Sequence, residues 1–385
     1  MGVSGPSREE LQLSWGWVAH WLGEGEAPPE RAPAPAPLAA LAYRHRLEAA
    51  LAEPALTRGS PEGHVPPALW SRWQKARGAA LAQLVWRAEP LRAALAALSP
   101  IPAIVFKGAA TAELIYPTPA ARPMVDVDLL VRAEDAPEAV RRLGEIGYRC
   151  YHWGHPFFHR RYYHEWPLLG PEIEIDLHRG FSQASRVPAD YGAIFDRSLA
   201  WPELGPNARL LSPEDAVACQ ALQPGRSEFS VSGAPFIGVL DLKLMLMRAG
   251  PFWAQAGGPP LEPSLVALRA AEWGAERSIY AGLAVAARLL PSLAGRVALA
   301  QPALPAPLRR LIDRLVVEPS ARPTLEDPAR REVWLRKAIL TPSGAFLTLP
   351  RERIAGLCTV ARRRLRAPRP LAPRPATPLA KRLFG

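Results

Sequence analysis

Leu11, Trp15, Val18, Trp21 and Leu22 recur at helical spacing and predict an amphipathic helix within residues 1–23. Residues 24–37 (EGEAPPERAPAPAP) break that pattern and read as a semi-rigid, extended linker. From 38 to 99 the chain is Ala/Leu-rich with helical periodicity, interrupted at 57–67 by TRGSPEGHVPP, which predicts two or three helices. Trp70, Trp73 and Trp86 fall on their apolar faces, where core packing outweighs base stacking. Residues 1–99 therefore form an N-terminal helical region.

The pattern changes at residue 100. IPAIVF (101–106) is a short apolar run that predicts a buried strand, and KGAATAELIY (107–116) a helix stopped by Pro-Thr-Pro. MVDVDLLV (124–131) alternates strictly, so a strand here points Asp126 and Asp128 one way and Val125, Val127 and Leu129 the other. Residues 133–148 predict an amphipathic helix ending at Gly147, and the aromatic, His-rich residues 149–170 a hairpin. EIEIDLH (172–178) is a second alternating strand, with Glu174, Asp176 and His178 on one face. Intermingled strands and helices make 100–204 a small mixed α/β core, and the chain as a whole α+β.

Helical periodicity returns from 205. Ser212-Pro213-Glu214-Asp215 is a helix start, with a serine cap, proline at the first position and acids in the first turn. Further helices are expected at 236–248, 262–274, 276–290 and 306–316, with two more in ARREVWLRKAIL and PRERIAGLCTVARRRL, completing a helical domain over 205–360. Residues 361–385 are a basic, proline-interrupted tail expected to be disordered.

Composition adds less than the pattern does. Charged residues at 22% and hydrophobic ones at 49% describe an ordinary globular chain. Three widely spaced cysteines (Cys150, Cys219, Cys358) argue against a disulfide framework. The absence of a signal-peptide pattern and of a long apolar run adds to an expectation of a cytoplasmic protein without a transmembrane segment. The net charge of +11 suggests nucleic acid, but the tail alone holds eight basic residues and no acid. The tail could thus touch nucleic acid or an anionic surface, while the rest of the chain is only mildly basic. Of 47 basic residues only five are lysine, so Lys107 beside a candidate site stands out in an Arg-rich chain with 44 prolines.

The chemistry concentrates in 104–131. Two aspartates at i and i+2 on an otherwise apolar strand project side by side, and two close carboxylates repel. A divalent cation relieves that repulsion. Oxygen ligands of this kind suit Mg²⁺, with Mn²⁺ the alternative, and Mg²⁺ usually completes its shell with water and substrate phosphate. Lys107-Gly108 sits at a strand-to-helix turn, where a glycine lets backbone N–H groups approach phosphate and the lysine adds a cation. Arg122, four residues before Asp126, could clamp phosphate or orient a carboxylate, the alternative being a structural salt bridge. Asp176 can supply a third carboxylate, with Glu174 its rival on the same face, and three carboxylates suit a two-metal phosphoryl-transfer site.

Phe106-Lys107-Gly108, Tyr116-Pro117, Arg122-Pro123-Met124-Val125-Asp126-Val127-Asp128-Leu129-Leu130-Val131, Gly147-Tyr148 and Ile175-Asp176-Leu177-His178 together resemble a bacterial family of uncharacterised nucleotidyltransferases, related to the DNA polymerase β-like superfamily. The resemblance covers about residues 100–250. It implies a small mixed sheet flanked by helices and followed by a helical domain. It also implies that Asp126 and Asp128 bind catalytic metals, with Asp176 the third metal-binding carboxylate and the base for the acceptor hydroxyl. Lys107 and Gly108 would stand where that superfamily has Gly-Ser and, with Arg122 and His178, would meet the nucleotide. Two departures are visible: Lys-Gly-Ala replaces Gly-Ser, and Val125 stands where glycine often precedes the first aspartate. An NTP substrate and an acceptor that is a small molecule, a protein or RNA follow from the same resemblance.

Three alternatives compete. One is a toxin-type nucleotidyltransferase acting on tRNA or protein; another is a non-catalytic nucleotide-binding or scaffold module. The third is a nucleic-acid binder working through the basic tail. A competing site is zinc in the cluster His152, His155, His159 and His164, with His178 beyond. That cluster has only Cys150 and Glu165 as nearby non-histidine ligands, so the sequence disfavours zinc. Neither a Walker A pattern nor a G-x-S-x-G elbow is present.

Overall fold

The computed structural model describes residues 6–24, 27–150, 164–182, 187–225, 236–255, 258–318 and 339–341. His152, His155, His159, the basic tail, Cys358 and the helices expected in 329–340 and 350–365 lie outside the described residues, apart from 339 and 340.

The N-terminal region contains α1 (Arg8–Trp21), α2 (Pro35–Arg44), the single turn α3 (Glu48–Leu51) and the long α4 (Pro67–Leu98). A Ser7–Glu10 capping box starts α1. Its buried face is Leu11, Ser14, Trp17, Val18 and Trp21, whereas Trp15 lies edge-on to Phe236. The Trp17 indole donates to the Arg31 carbonyl at 2.7 Å, which ties the proline-rich segment back onto α1.

The middle of the chain is a seven-stranded mixed sheet of order β3-β4-β5-β2-β1-β7-β6. Its strands are β1 (Ala103–Phe106), β2 (Val127–Leu130), β3 (Arg149–Cys150), β4 (Glu165–Leu169), β5 (Glu174–His178), β6 (Leu199–Ala200) and β7 (Ala208–Leu210). Two helices, α5 (Gly108–Leu114) and α6 (Ala136–Glu145), connect or cover it. Around the centre, β2 runs antiparallel to β1 and parallel to β5. The α+β class expected from the pattern is what is observed.

Alternation along these strands divides the interior in two. Ala103, Val105, Val127, Leu129, Ile175 and Leu177 pack with the apolar faces of α4 and α6. Ile104, Phe106 and Leu130 instead join a larger core with the N-terminal helices and with the helices Pro213–Gly225, Ile237–Gln255 and Glu276–Leu289. The N-terminal and C-terminal helical regions thus share one core on one face of the sheet. Gly282 is required there: a Cβ at this position would lie 1.8 Å from the Ala221 carbonyl oxygen, so the two helix backbones touch directly. The Ser212 hydroxyl accepts from the Asp215 N–H at 3.2 Å, consistent with the expected cap.

The strand expected over 124–131 is shorter, Val127–Leu130. Arg87 of α4 donates to the Met124 and Val125 carbonyls at 3.0 and 2.7 Å, so a guanidinium takes up backbone acceptors that a neighbouring strand would otherwise bind. Asp126 therefore lies just before the strand and not within it. Within the expected hairpin at 149–170, β3 and β4 pair antiparallel. The helix expected at 236–248 extends to Gln255, and that at 306–316 gives way at Asp313 to a π-helical turn. No helix among the described residues is long and apolar enough to cross a membrane.

Candidate active site

Register assembles the site on the larger-core face of the sheet. Asp128 of β2 stands opposite Phe106 of β1 and opposite Asp176 of β5. His178, two residues beyond Asp176, stands opposite Glu165 of β4. Because strand side chains alternate, Asp128, Asp176, His178 and Glu165 all project from one face. One oxygen each from Asp128 and Asp176 and one ring nitrogen of His178 lie within 4.8 Å of one another.

Lys107 occupies the turn from β1 into α5 with φ +51°, the left-handed region a non-glycine residue rarely adopts. This strained elbow delivers the lysine to the carboxylates. Its Nζ lies 2.7 Å from Asp128 Oδ1 and 5.0 Å from the centre of the Phe106 ring. His178 Nε2 meets the same Oδ1 at 2.8 Å. Burial opposes ionisation of Asp128, but the Lys107 ammonium and the His178 hydrogen bond outweigh it and hold the carboxyl at about 2. An ionised carboxylate only accepts, so His178 donates through Nε2.

The other acids are not compensated in this way. Burial, then the charges of Glu165, Asp126 and Asp128, push the Asp176 carboxyl up to about 8. Burial and the proximity of Asp128 raise Asp126 as well. Glu165 is driven the other way: burial disfavours its charge, but His164, 3.1 Å from Oε2, and His178, 3.6 Å from it, lower the carboxyl below its usual range. Among the described residues Lys107, His164 and His178 contact these acids, while the charges of Arg46 and Arg87 act on Asp126.

Arg122 is placed differently. Its Nη2 and Nε donate to the Asp241 carboxylate at 2.8 and 3.3 Å, and Nη1 donates to the Pro123 carbonyl at 3.1 Å. Tyr116 adds a 2.8 Å bond to the same carboxylate, whose side chain is fully buried. Gly108 backs onto this guanidinium: a Cβ there would lie 3.0 Å from Arg122 Nη1. His178 is fully buried behind Asp128, with Phe106 edge-on at 5.0 Å. Neither Glu174, on the same strand face, nor Asp126, just before β2, joins either group of potential metal ligands among the described residues; Asp126 is close enough to raise the Asp176 carboxyl.

Sequence reasoning missed Asp241 and Arg87, and met Glu165 only as a neighbour of the histidine cluster. Asp241 had a signal, a lone acid in the apolar helical run VLDLKLMLM. The place of Glu165 beside Asp176 and His178 follows from the β4–β5 register.

A family model described as uncharacterised nucleotidyltransferase matches residues 33–291, from before α2 to just beyond the helix Glu276–Leu289. No curated protein and no solved structure matches the chain.

Proposed function

The chain belongs to the uncharacterised nucleotidyltransferase family, and from that premise we propose that it is a divalent-metal-dependent enzyme that transfers a nucleoside monophosphate from an NTP to an acceptor hydroxyl and releases pyrophosphate. The observation that carries the reading is the pairing of Asp128 with Asp176 across parallel strands, with Asp126 at the strand entrance and Lys107 on the adjoining elbow.

The carboxylates fit a divalent cation on their own chemistry. Burial and the neighbouring carboxylates raise the proton affinity of Asp126 and Asp176, which a bound cation would offset, and oxygen donors match Mg²⁺ or Mn²⁺. Asp126, Asp128 and Asp176 would hold it; once bound, it supplies Lewis-acid stabilisation of the transferring phosphoryl group and its pyrophosphate leaving group. Among the described residues both bonds to Asp128 fall on Oδ1, which leaves Oδ2 as its ligand atom. His178 fixes the orientation of that carboxylate, and Lys107 steadies the triphosphate. Asp176, deprotonated when the cation is held, takes the proton of the attacking hydroxyl at a carboxylate oxygen. Arg122 and Gly108 act beneath the nucleotide, holding the first turn of α5 against Asp241.

The test is transfer of label from each of four α-labelled NTPs into a cell extract. Wild-type protein should label one class of acceptor, and Asp126→Ala and Asp128→Ala should each abolish labelling while keeping the circular dichroism of the wild type. Undiminished labelling by both variants would remove the assignment.

A further inference from the structure

His178 has two working edges. Its Nε2 meets Asp128 at 2.8 Å. Nδ1 faces two oxygens, the Gly180 carbonyl at 3.4 Å and Glu165 Oε2 at 3.6 Å. A proton on Nδ1 answers those oxygens in the metal-free chain, and in the neutral ring a metal cation can take the same place. His164 completes the setting, with Nε2 3.1 Å from the same Glu165 oxygen and its side chain only 11% exposed.

We propose that His164, Glu165 and His178 form a second metal site, separate from the aspartate site, for a borderline first-row cation of the Zn²⁺ type. Their three ligand atoms lie within 4.8 Å of one another. Tetrahedral zinc with bonds of about 2.0–2.1 Å sets its ligand atoms about 3.3 Å apart, and the edges of 3.1 and 3.6 Å bracket that value. The donor set also separates the two sites. Two imidazoles and one carboxylate favour zinc, whereas carboxylates alone favour Mg²⁺.

The surroundings match those of a held ligand. A metal-binding histidine characteristically donates its other ring N–H to a carboxylate, which fixes the tautomer and the ring plane, and Asp128 plays that part for His178. Two of the three ligands sit on paired strands, Glu165 directly opposite His178, so the backbone register sets their separation. One imidazole would then join the two sites, Nδ1 on the zinc-type cation and Nε2–H on the aspartate that faces the nucleotide. The site stands independently of nucleotidyl transfer, because its ligands bind metal whether or not an NTP is turned over.

The test uses the full-length protein, stripped with chelator, loaded with Co²⁺ or Zn²⁺ and desalted. Wild-type protein should retain about one ion per chain by elemental analysis, and the Co²⁺ form should show the visible absorption of a tetrahedral N/O site. His164→Ala and Glu165→Gln should each weaken retention by more than about a hundredfold, since loss even of an outer partner can cost up to that much. Asp126→Asn should retain the ion fully, and thermal melts should confirm that each variant is folded. Failure of the wild type to retain either ion, or equal retention in His164→Ala and Glu165→Gln, would overturn the proposal. Loss of transfer activity alone has no bearing on it.

Discussion

The Arg122–Asp241 cluster and the Asp126–Asp128–Asp176 cluster are both built from buried charge, and Arg122 is close enough to feel the field of Asp128. In the first, each charge is answered. Burial disfavours the Arg122 guanidinium, but Asp241 more than restores it, and Tyr116 fills out the shell of the same carboxylate. In the second, Lys107 pairs with Asp128, while among the described residues Asp126 and Asp176 have no such ion pair and hold protons more tightly than usual. A buried charge that finds its partners within the fold is scaffold. A group of acids left short of positive charge is poised for something that arrives from outside.

That contrast breaks most sharply under substitution. Asp126→Asn and Asp128→Asn should each lower NTP-dependent labelling by at least about a thousandfold, because metal stabilisation of the phosphoryl group is worth several kcal/mol and each 1.4 kcal/mol is tenfold. The urea midpoint of Asp126→Asn should stay close to wild type, whereas Asp128→Asn gives up the charge pairing with Lys107 and should lower it. A collapse of the fold in Asp126→Asn would place that residue with the scaffold instead.

Next in size is the scaffold pair. Arg122→Met leaves Asp241 buried without its cation and should cost about 3–5 kcal/mol in urea unfolding. The double change Arg122→Met/Asp241→Leu should recover much of that loss, since replacing both members of a buried pair is often neutral. If the double variant is as unstable as the single one, the pair does more than balance charge. Tyr116→Phe removes one hydrogen bond to a charged acceptor and should cost about 1.5–3 kcal/mol by the same measurement.

A further effect lies in pH. The folded chain binds the Asp176 proton with a pKa of about 8, against an ordinary value near 3.8. Where the folded state holds the extra proton, stability falls as pH rises. Asp176 should therefore make the metal-free protein progressively less stable from about pH 4 to pH 8, and Asp176→Asn should flatten that slope. Divalent cations bind the deprotonated form, so the thermal shift produced by Mg²⁺ should grow from pH 6 to pH 8. A Mg²⁺ shift that shrinks over this range would contradict the role given to Asp176.

Much of this arrangement was legible in the chain because strand alternation is local. Val127 and Leu129 on one face and Asp128 on the other can be read from five consecutive residues, and the same holds for Ile175, Asp176 and Leu177. What escaped reading depends on distant partners. The carboxylate that engages Arg122 lies 119 residues away, in a helix whose apolar majority hides it. Arg87, which holds the carbonyls before Asp126 so that β2 begins only at Val127, comes from a helix 37 residues upstream. Glu165 acquires its place only from the β4–β5 register, which the local sequence does not reveal from composition alone.

The central claim is that the aspartate cluster is short of one divalent charge, and calorimetric titration of Mg²⁺ into the metal-free protein tests it directly. Wild-type protein should bind Mg²⁺ with an affinity that rises between pH 6 and pH 8, and the Asp126→Asn/Asp128→Asn double variant, still folded, should bind none. Equal binding by wild type and double variant, or no binding by the wild type at either pH, would contradict the account.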